Sequence, residues 1–207
     1  VGKPLQVESG ADPVPEDSGL VLKVGYCGVC GTDLHATREG LTTACCGQIL
    51  GHEYVGEVVE VGKHADGNWQ VGDRVAVPSH LHCGQCEFCR RDEHCLCLAG
   101  ELIGIERDGG FAEQVVVPAR VLVGLPAGVE YRTSAALTLA GSTAMHMLTD
   151  RVRIKPGDWV LVIGGASGVG SAAIQIAKQL GARVIATGST PGKREFSARL
   201  GAEFVID

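Results

Sequence analysis

A chain of 207 residues, 45% hydrophobic and 20% charged, has the make-up of an ordinary soluble globular protein with room for one large domain or two small ones. Its formal net charge of −6, with no basic run and no aromatic-basic stripe, excludes a general nucleic-acid binder. No apolar stretch approaches the roughly 18 residues of a membrane span, and no basic-then-apolar leader opens the chain, so neither a membrane partner nor secretion is expected. Nine cysteines, an odd number, point to a reducing cytoplasm and to metal ligation rather than to disulfides. The first residue is Val1, not methionine, and residues missing upstream are expected.

As far as Val123 the sequence consists of short Val-rich runs bounded by Gly, Pro or Asp. Leu20–Val24, Glu57–Val61, Arg74–Val77 and Gln114–Val117 predict strands of a compact β-barrel or sandwich-like domain. Between the first two lie Cys30-Gly-Thr-Asp-Leu-His35 and Gly51-His-Glu53. A thiolate and an imidazole from separate loops make a good pair of zinc ligands, and neighbouring carboxylates, here Asp33 and Glu53, can orient or exchange with them.

Cys83-x-x-Cys86-x-x-Cys89, followed by Cys97, is the strongest signal in the chain. Four thiolates at these spacings can wrap a tetrahedral zinc at Zn–S distances of roughly 2.3 Å. With all four positions filled by sulfur no ligand site is open, so the metal is expected to be structural and to hold the apolar-poor loop Arg90 to His94 in one shape. Cys95 could stand in for Cys97, and an iron–sulfur cluster or a disulfide pair are the other readings of the loop.

From Glu130 to Leu148 an Ala- and Leu-rich pattern predicts helix. After Lys155-Pro-Gly-Asp158, the apolar run Trp159–Ile163 predicts a buried parallel strand. Helix Ser171–Leu180, strand Arg183–Thr187, helix Pro191–Leu200 and strand Phe204–Ile206 follow, a βαβαβ half-unit. Gly165-Ala-Ser167-Gly168-Val169-Gly170, after the apolar strand and opening a helix, is placed to let backbone N–H groups and a helix N-terminus meet a pyrophosphate. Ser167 stands where the dinucleotide fingerprint has its second Gly, and Gly164 and Gly168 are expected to restore the freedom. At the end of the second strand, where an acid would grip NAD ribose hydroxyls, stand Gly188-Ser189-Thr190 with Lys193 and Arg194 after them. NADP(H) is therefore expected over NAD(H).

Gly28-Val-Cys-Gly-Thr-Asp-Leu-His35, Leu50-Gly-His-Glu-Tyr-Val-Gly56, the four-cysteine loop and Gly109-Gly-Phe-Ala-Glu113, in this order, resemble the zinc-containing medium-chain dehydrogenase/reductase family, alcohol dehydrogenase-like. The resemblance spans nearly the whole chain. It implies an α/β protein with a β-rich first domain: a chaperonin-10-like (GroES-like) catalytic barrel over residues 1–125, a linking helical segment over 126–155, and over 156–207 the N-terminal half of a Rossmann domain. The doubly wound parallel sheet would then be truncated and the chain a fragment with little activity by itself. Carried over residue by residue, Cys30 and His52 would be catalytic zinc ligands and Glu53 the carboxylate behind the metal. Thr32 and His35 would form a proton relay, and Asp33 would brace His52. The family's third ligand is usually a Cys in the stretch matching Leu137-Thr-Leu-Ala-Gly-Ser-Thr143, and here that position is Leu139. Either a substitute completes the site, Glu53 first with Cys46 or His146 behind it, or zinc binding is weakened or absent.

The reaction these residues imply is hydride transfer between a small-molecule alcohol or carbonyl and NADP or NAD, with the proton leaving through Thr32 and His35. Leu139 favours the rival reading of a zinc-independent quinone or enone reductase. A non-catalytic zinc-binding fragment is the rival from another class. Relatives commonly pair through the cofactor domain, which makes a homo-oligomer an expectation too.

Overall fold

In the computed structural model, which describes residues 5–38 and 47–207, the Val-rich runs pair as an antiparallel sheet. Strand β1 (Gly19–Gly28) leads into helix α1 (Gly31–Arg38). Strands β2 (Glu53–Val61), β3 (Arg74–Ala76), β4 (His80–Leu81), β5 (Glu101–Leu102), β6 (Gln114–Pro118) and β7 (Val123–Gly124) follow, then helix α2 (Tyr131–Thr138). The main sheet runs β6-β1-β2-β3-β7, and β4 pairs with β5 apart from it. Leu20, Leu22, Tyr54, Val58, Val75, Val115 and Val117 meet in one buried cluster, as the alternation of a half-buried strand requires. Trp69 packs against that cluster and donates its indole N–H to the Ala119 carbonyl at 3.3 Å.

Both long strands outrun their valine-rich stretches. Register shifts between Val21 and Leu22 and between Val24 and Tyr26 bend the pair, and the added length sets Cys27 opposite Tyr54 and Gly28 opposite Glu53. The extension carries no β-branched side chain on β1 after Val24, so composition alone ended the strand too early. Its consequence is positional, since the ends of β1 and β2 arrive side by side at Cys30 and His52.

The chain divides into two units, residues up to Thr138 and Leu139–Asp207. The second opens with helix α3 (Ala140–His146) and a single π-turn, Met147–Arg151. Strand β8 (Trp159–Val162), helix α4 (Gly168–Gln179), strand β9 (Arg183–Thr187), helix α5 (Pro191–Leu200) and strand β10 (Phe204–Ile206) complete it. The three strands are parallel in the order β10-β9-β8. Val162, Val184 and Ala186 share a buried cluster with Ala173, Ile174 and Ala177 of α4.

Two expectations are corrected here. The helix foreseen from Glu130 to Leu148 is two helices, Tyr131–Thr138 and Ala140–His146, interrupted at Leu139 (φ −103°, ψ −58°), and Thr138 turns its hydroxyl back onto the Ala135 carbonyl. The run Trp159–Ile163 is not buried on both faces. Helices α4 and α5 cover only the side of Val162 and Ala186, and Trp159 (48% exposed), Leu161, Phe204 and Ile206 occupy the open side. There the Arg183 guanidinium lies 3.9 Å over the Trp159 ring.

Candidate metal centres and nucleotide loop

The four-cysteine loop converges on one point. Tetrahedral Zn–S bonds of roughly 2.3 Å put sulfurs roughly 3.8 Å apart. The Cys83–Cys89 and Cys86–Cys97 sulfurs are each separated by 4.0 Å, and all four Sγ atoms lie within 4.8 Å of one another. The donor set therefore fits a closed tetrahedral site. Cys95 is exposed and outside the group, and no disulfide joins the described cysteines. Backbone N–H groups face the sulfurs: Cys83 N–H donates to Cys97 Sγ at 3.2 Å and Cys86 N–H to Cys83 Sγ at 3.4 Å. The N–H groups of Cys89 and Leu98 draw the Cys86 thiol down to about 6, while burial pushes Cys89 up to about 12. A bound dication would supply the charge that the Cys89 thiolate needs. His82 and His94 stack face to face at 3.9 Å, and Arg120 donates to the His82 carbonyl at 2.8 Å, which fastens the loop at its edges.

Cys30, in the turn between β1 and α1, His52, just before β2, and Glu53, its first residue, bring their ligand atoms within 4.8 Å of one another. Asp33 is buried between them. Its Oδ2 accepts the Cys30 N–H at 2.8 Å, and its Oδ1 accepts the Gly51 N–H at 3.4 Å and lies 3.4 Å from His52 Nδ1. That last contact is an ion pair outside hydrogen-bond alignment. The Asp33 carboxylate is the chief cause that lifts His52 to about 9; burial opposes it, and Cys30 adds to it. Burial would raise Asp33 itself, but the His52 imidazolium and the Cys30 and Gly51 N–H groups hold it below the usual carboxylate range. With Nδ1 turned to Asp33, the other ring nitrogen of His52 is the one left for a metal. Thr32 Oγ1 lies 3.7 Å from Cys30 Sγ, and His35 stands exposed one turn further along α1.

Glycines make this convergence possible. A Cβ on Gly28 would stand 2.5 Å from Glu53 Oε2. Gly51 has φ +94°, and a Cβ there would meet Phe111 at 2.7 Å and Cys27 Sγ at 2.9 Å. Backbone bonds from Gly109, Gly110 and Phe111 to the carbonyls of Ile49, Gly51 and Leu50 strap down the segment that carries His52. Asp108 adds to the strap, accepting the Ile49 N–H at 3.1 Å and the Gln48 amide at 2.6 Å. Gly109-Gly-Phe111 carries no task of its own in the sequence, and the only signal for Asp108 there is its place beside that motif.

Of the stand-ins for a third ligand, Glu53 converges with Cys30 and His52. His146 does not serve: its Nδ1 lies 2.8 Å from Asp150 and its Nε2 accepts from Arg151 at 3.2 Å, so both ring nitrogens are engaged within the second unit. Cys46 lies outside the described residues. Leu139 precedes α3 and offers no ligand atom.

In the second unit Ser167 is the N-cap of α4, its Oγ accepting the Gly170 N–H at 3.0 Å, which explains a serine in place of the second glycine. Gly165 and Gly170 form a cradle that a side chain would fill. A Cβ on Gly165 would meet Ser197 Oγ at 2.7 Å, and one on Gly170 would meet Ser167 Oγ at 2.9 Å and the Gly164 carbonyl. Gly164 N–H donates to Thr187 Oγ1 at 2.9 Å, so the loop is joined to the end of β9, where Gly188, Ser189 and the first turn of α5 with Lys193 and Arg194 stand. Gly168 and Val169 open α4 and present first-turn N–H groups. The crevice at the carboxyl ends of parallel strands is where such sheets receive a nucleotide.

Comparison with known proteins agrees with this geometry. The family profile described as alcohol dehydrogenase GroES-like domain matches residues 16–127, and that described as zinc-binding dehydrogenase matches residues 168–207. An alcohol dehydrogenase of Geobacillus stearothermophilus is 34% identical over 99% of this chain and 60% of its own length. One of Rhizobium meliloti is 36% identical over 100% of this chain and 60% of its own length. A cobalt- and zinc-bound thermostable alcohol dehydrogenase from Pyrobaculum aerophilum superposes with a TM-score of 0.86 at 33% identity, over 93% of this chain and 58% of its own. The chain thus spans about three-fifths of the length of the curated relatives it matches.

Proposed function

The chain belongs to the zinc-containing medium-chain dehydrogenase/reductase family, alcohol dehydrogenase-like, with a GroES-like first unit and a Rossmann-type second, and on that premise we propose that it serves a zinc-dependent, NADP-preferring oxidation of an alcohol or reduction of a carbonyl. The observation that carries this reading is the meeting of Cys30, His52 and Glu53 around buried Asp33. Those three residues would hold a zinc ion, which would supply a Lewis acid to make an alcohol hydroxyl more acidic or a carbonyl more electrophilic. Asp33 fixes the orientation of His52, Thr32 beside Cys30 takes the proton of the substrate hydroxyl, and His35 passes it to water. Ser167, Gly168, Val169 and Gly170, with Gly165 behind them, form the seat for the cofactor's pyrophosphate. The absence of an acid at Gly188-Ser189-Thr190 and the cations Lys193 and Arg194 favour NADP(H) over NAD(H). Cys83, Cys86, Cys89 and Cys97 would hold a second, structural zinc. The described cysteines, free of disulfides, suit a reducing cytoplasm, and no described helix is long and apolar enough to cross a membrane.

Leu139 favours a second reading, in which the reductase works without the catalytic metal and only the four-cysteine zinc is present. Elemental analysis of protein purified without added metal separates the two. The expected result is two zinc ions per chain, one for each converging group, with His52→Ala losing one and keeping the other. A single zinc that disappears only when the four-cysteine loop is mutated would leave the metal-free reductase as the better account.

A further inference from the structure

The turn that follows β8 rests on the last residue of β9. The ladder between the two strands ends with Val162 opposite Ala186. Beyond it two N–H groups of the outgoing chain go to Thr187: Gly165 N–H donates to its carbonyl at 3.0 Å and Gly164 N–H to its hydroxyl oxygen at 2.9 Å. Gly164 has left strand geometry there, with φ +71°. Its own carbonyl accepts the Ser167 N–H at 2.9 Å and lies against Gly170, where a side chain would collide with it. Ser167 in turn caps α4 through the Gly170 N–H. Thr187 is itself held from the far side, opposite Ile206 of β10, and Gly188 N–H donates to the Ile206 carbonyl at 2.9 Å. Ser197, a buried hydroxyl beside the loop, donates to the Lys193 carbonyl at 3.0 Å and leaves Gly165 no room for a side chain.

We propose that Thr187 is a positioning residue for the dinucleotide's pyrophosphate: its hydroxyl fixes the Gly164 peptide and, through it, the Ser167 cap and the first-turn N–H groups of α4. The inference rests on the reading of the glycine loop as the nucleotide seat. A glycine has no side chain to restrict its backbone, so the turn at Gly164 has other arrangements open to it. A hydroxyl bonded to its N–H selects one of them. Gly164 is exposed, so water can take the place of that hydroxyl and the fold loses little. What is lost is the aim of the N–H groups at the phosphates. Thr187 in this role touches no ligand.

NADP and NAD carry the pyrophosphate; 2′-AMP and adenosine carry the corresponding adenosine ends without it. Calorimetric titration of the purified protein with these four probes tests the assignment. Thr187→Val replaces the hydroxyl by a methyl group of similar size. It is expected to weaken the dinucleotide that the unmodified protein binds by about threefold to tenfold, the scale of one hydrogen bond, and to leave the matching adenosine end unchanged. Thr187→Ser restores the affinity, and the melting temperatures of the three proteins agree closely. Full dinucleotide affinity in Thr187→Val, or an equal loss for the dinucleotide and its adenosine end, overturns the positioning role and leaves the nucleotide seat intact. A Thr187→Ser protein as weak as Thr187→Val does the same. Binding of neither dinucleotide by the unmodified protein overturns the seat itself and this inference with it. Thr187→Ala decides the matter where Thr187→Val fails to fold.

Discussion

Replacing Gly28 with alanine would place a methyl group 2.5 Å from Glu53 Oε2. Glu53 must then turn away from Cys30 and His52. Elemental analysis of Gly28→Ala is expected to show loss of the zinc assigned to those residues and retention of the one in the four-cysteine loop. The ionisation of His52 makes a second prediction. Its folded pKa, raised to about 9 by Asp33, exceeds the ordinary value of roughly 6.5. In protein stripped of zinc by a chelator, the ion pair contributes its full stability below that ordinary value and loses it as pH rises through the folded one. The melting temperature of the stripped protein should therefore fall between those two pH values, and His52→Gln should flatten that fall. Zinc competes with the same proton, so metal uptake at this site strengthens with rising pH, which a titration at two pH values would reveal.

The glycine loop and the strap under His52 show how far an element can be read before it is seen. Gly165, Gly168 and Gly170 look alike in sequence, but only the first and last have neighbours closer than 3.0 Å to a missing side chain; Gly168 would meet only Ala140 Cβ, at an ordinary contact of 3.6 Å. Gly168→Ala is expected to leave thermal stability unchanged or raise it by about 0.4–1 kcal/mol, and Gly170→Ala to lower it clearly, as measured by thermal unfolding. Strand β9, helix α5 and strand β10 were legible to the residue, because hydrophobic period and the Thr190-Pro191 and Gly201 end signals agree there. Strands β1 and β2 were legible only in their valine-rich parts, since Gly25, Tyr26 and Cys27 extend β1 through pairing with β2, not through propensity. The break at Leu139 escaped because alanine and leucine favour helix on both sides of it. In the site, the spacing of the four cysteines carried its own geometry. The convergence of Cys30 with His52 did not, because it depends on Asp33 and on a strap from Asp108 to Phe111 far along the chain.

At the scale of the molecule the two units keep separate buried clusters, one around Leu20, Tyr54 and Val75 and the other around Ile174, Val184 and Ala186. The four-cysteine loop joins only the first unit, flanked by the two-residue strands β4 and β5, which are too short to hold it by pairing alone. Removing its metal is expected to speed hydrogen exchange across Leu81, Ile103 and the loop between them while the amides of α4 and β9 keep their protection. Loss of protection in both units at once would show that the loop supports more than its own unit. Trp159, under Arg183 on the uncovered side of β8, gives the second unit an optical use. The chain has two tryptophans, one in each unit: Trp69 is bonded inside the first, and Trp159 is open to collision with small molecules. Acrylamide should extinguish the light of Trp159 first. Any polypeptide laid over that side of the sheet would shield it, so the quenching of a single residue becomes a gauge of whether that side is covered.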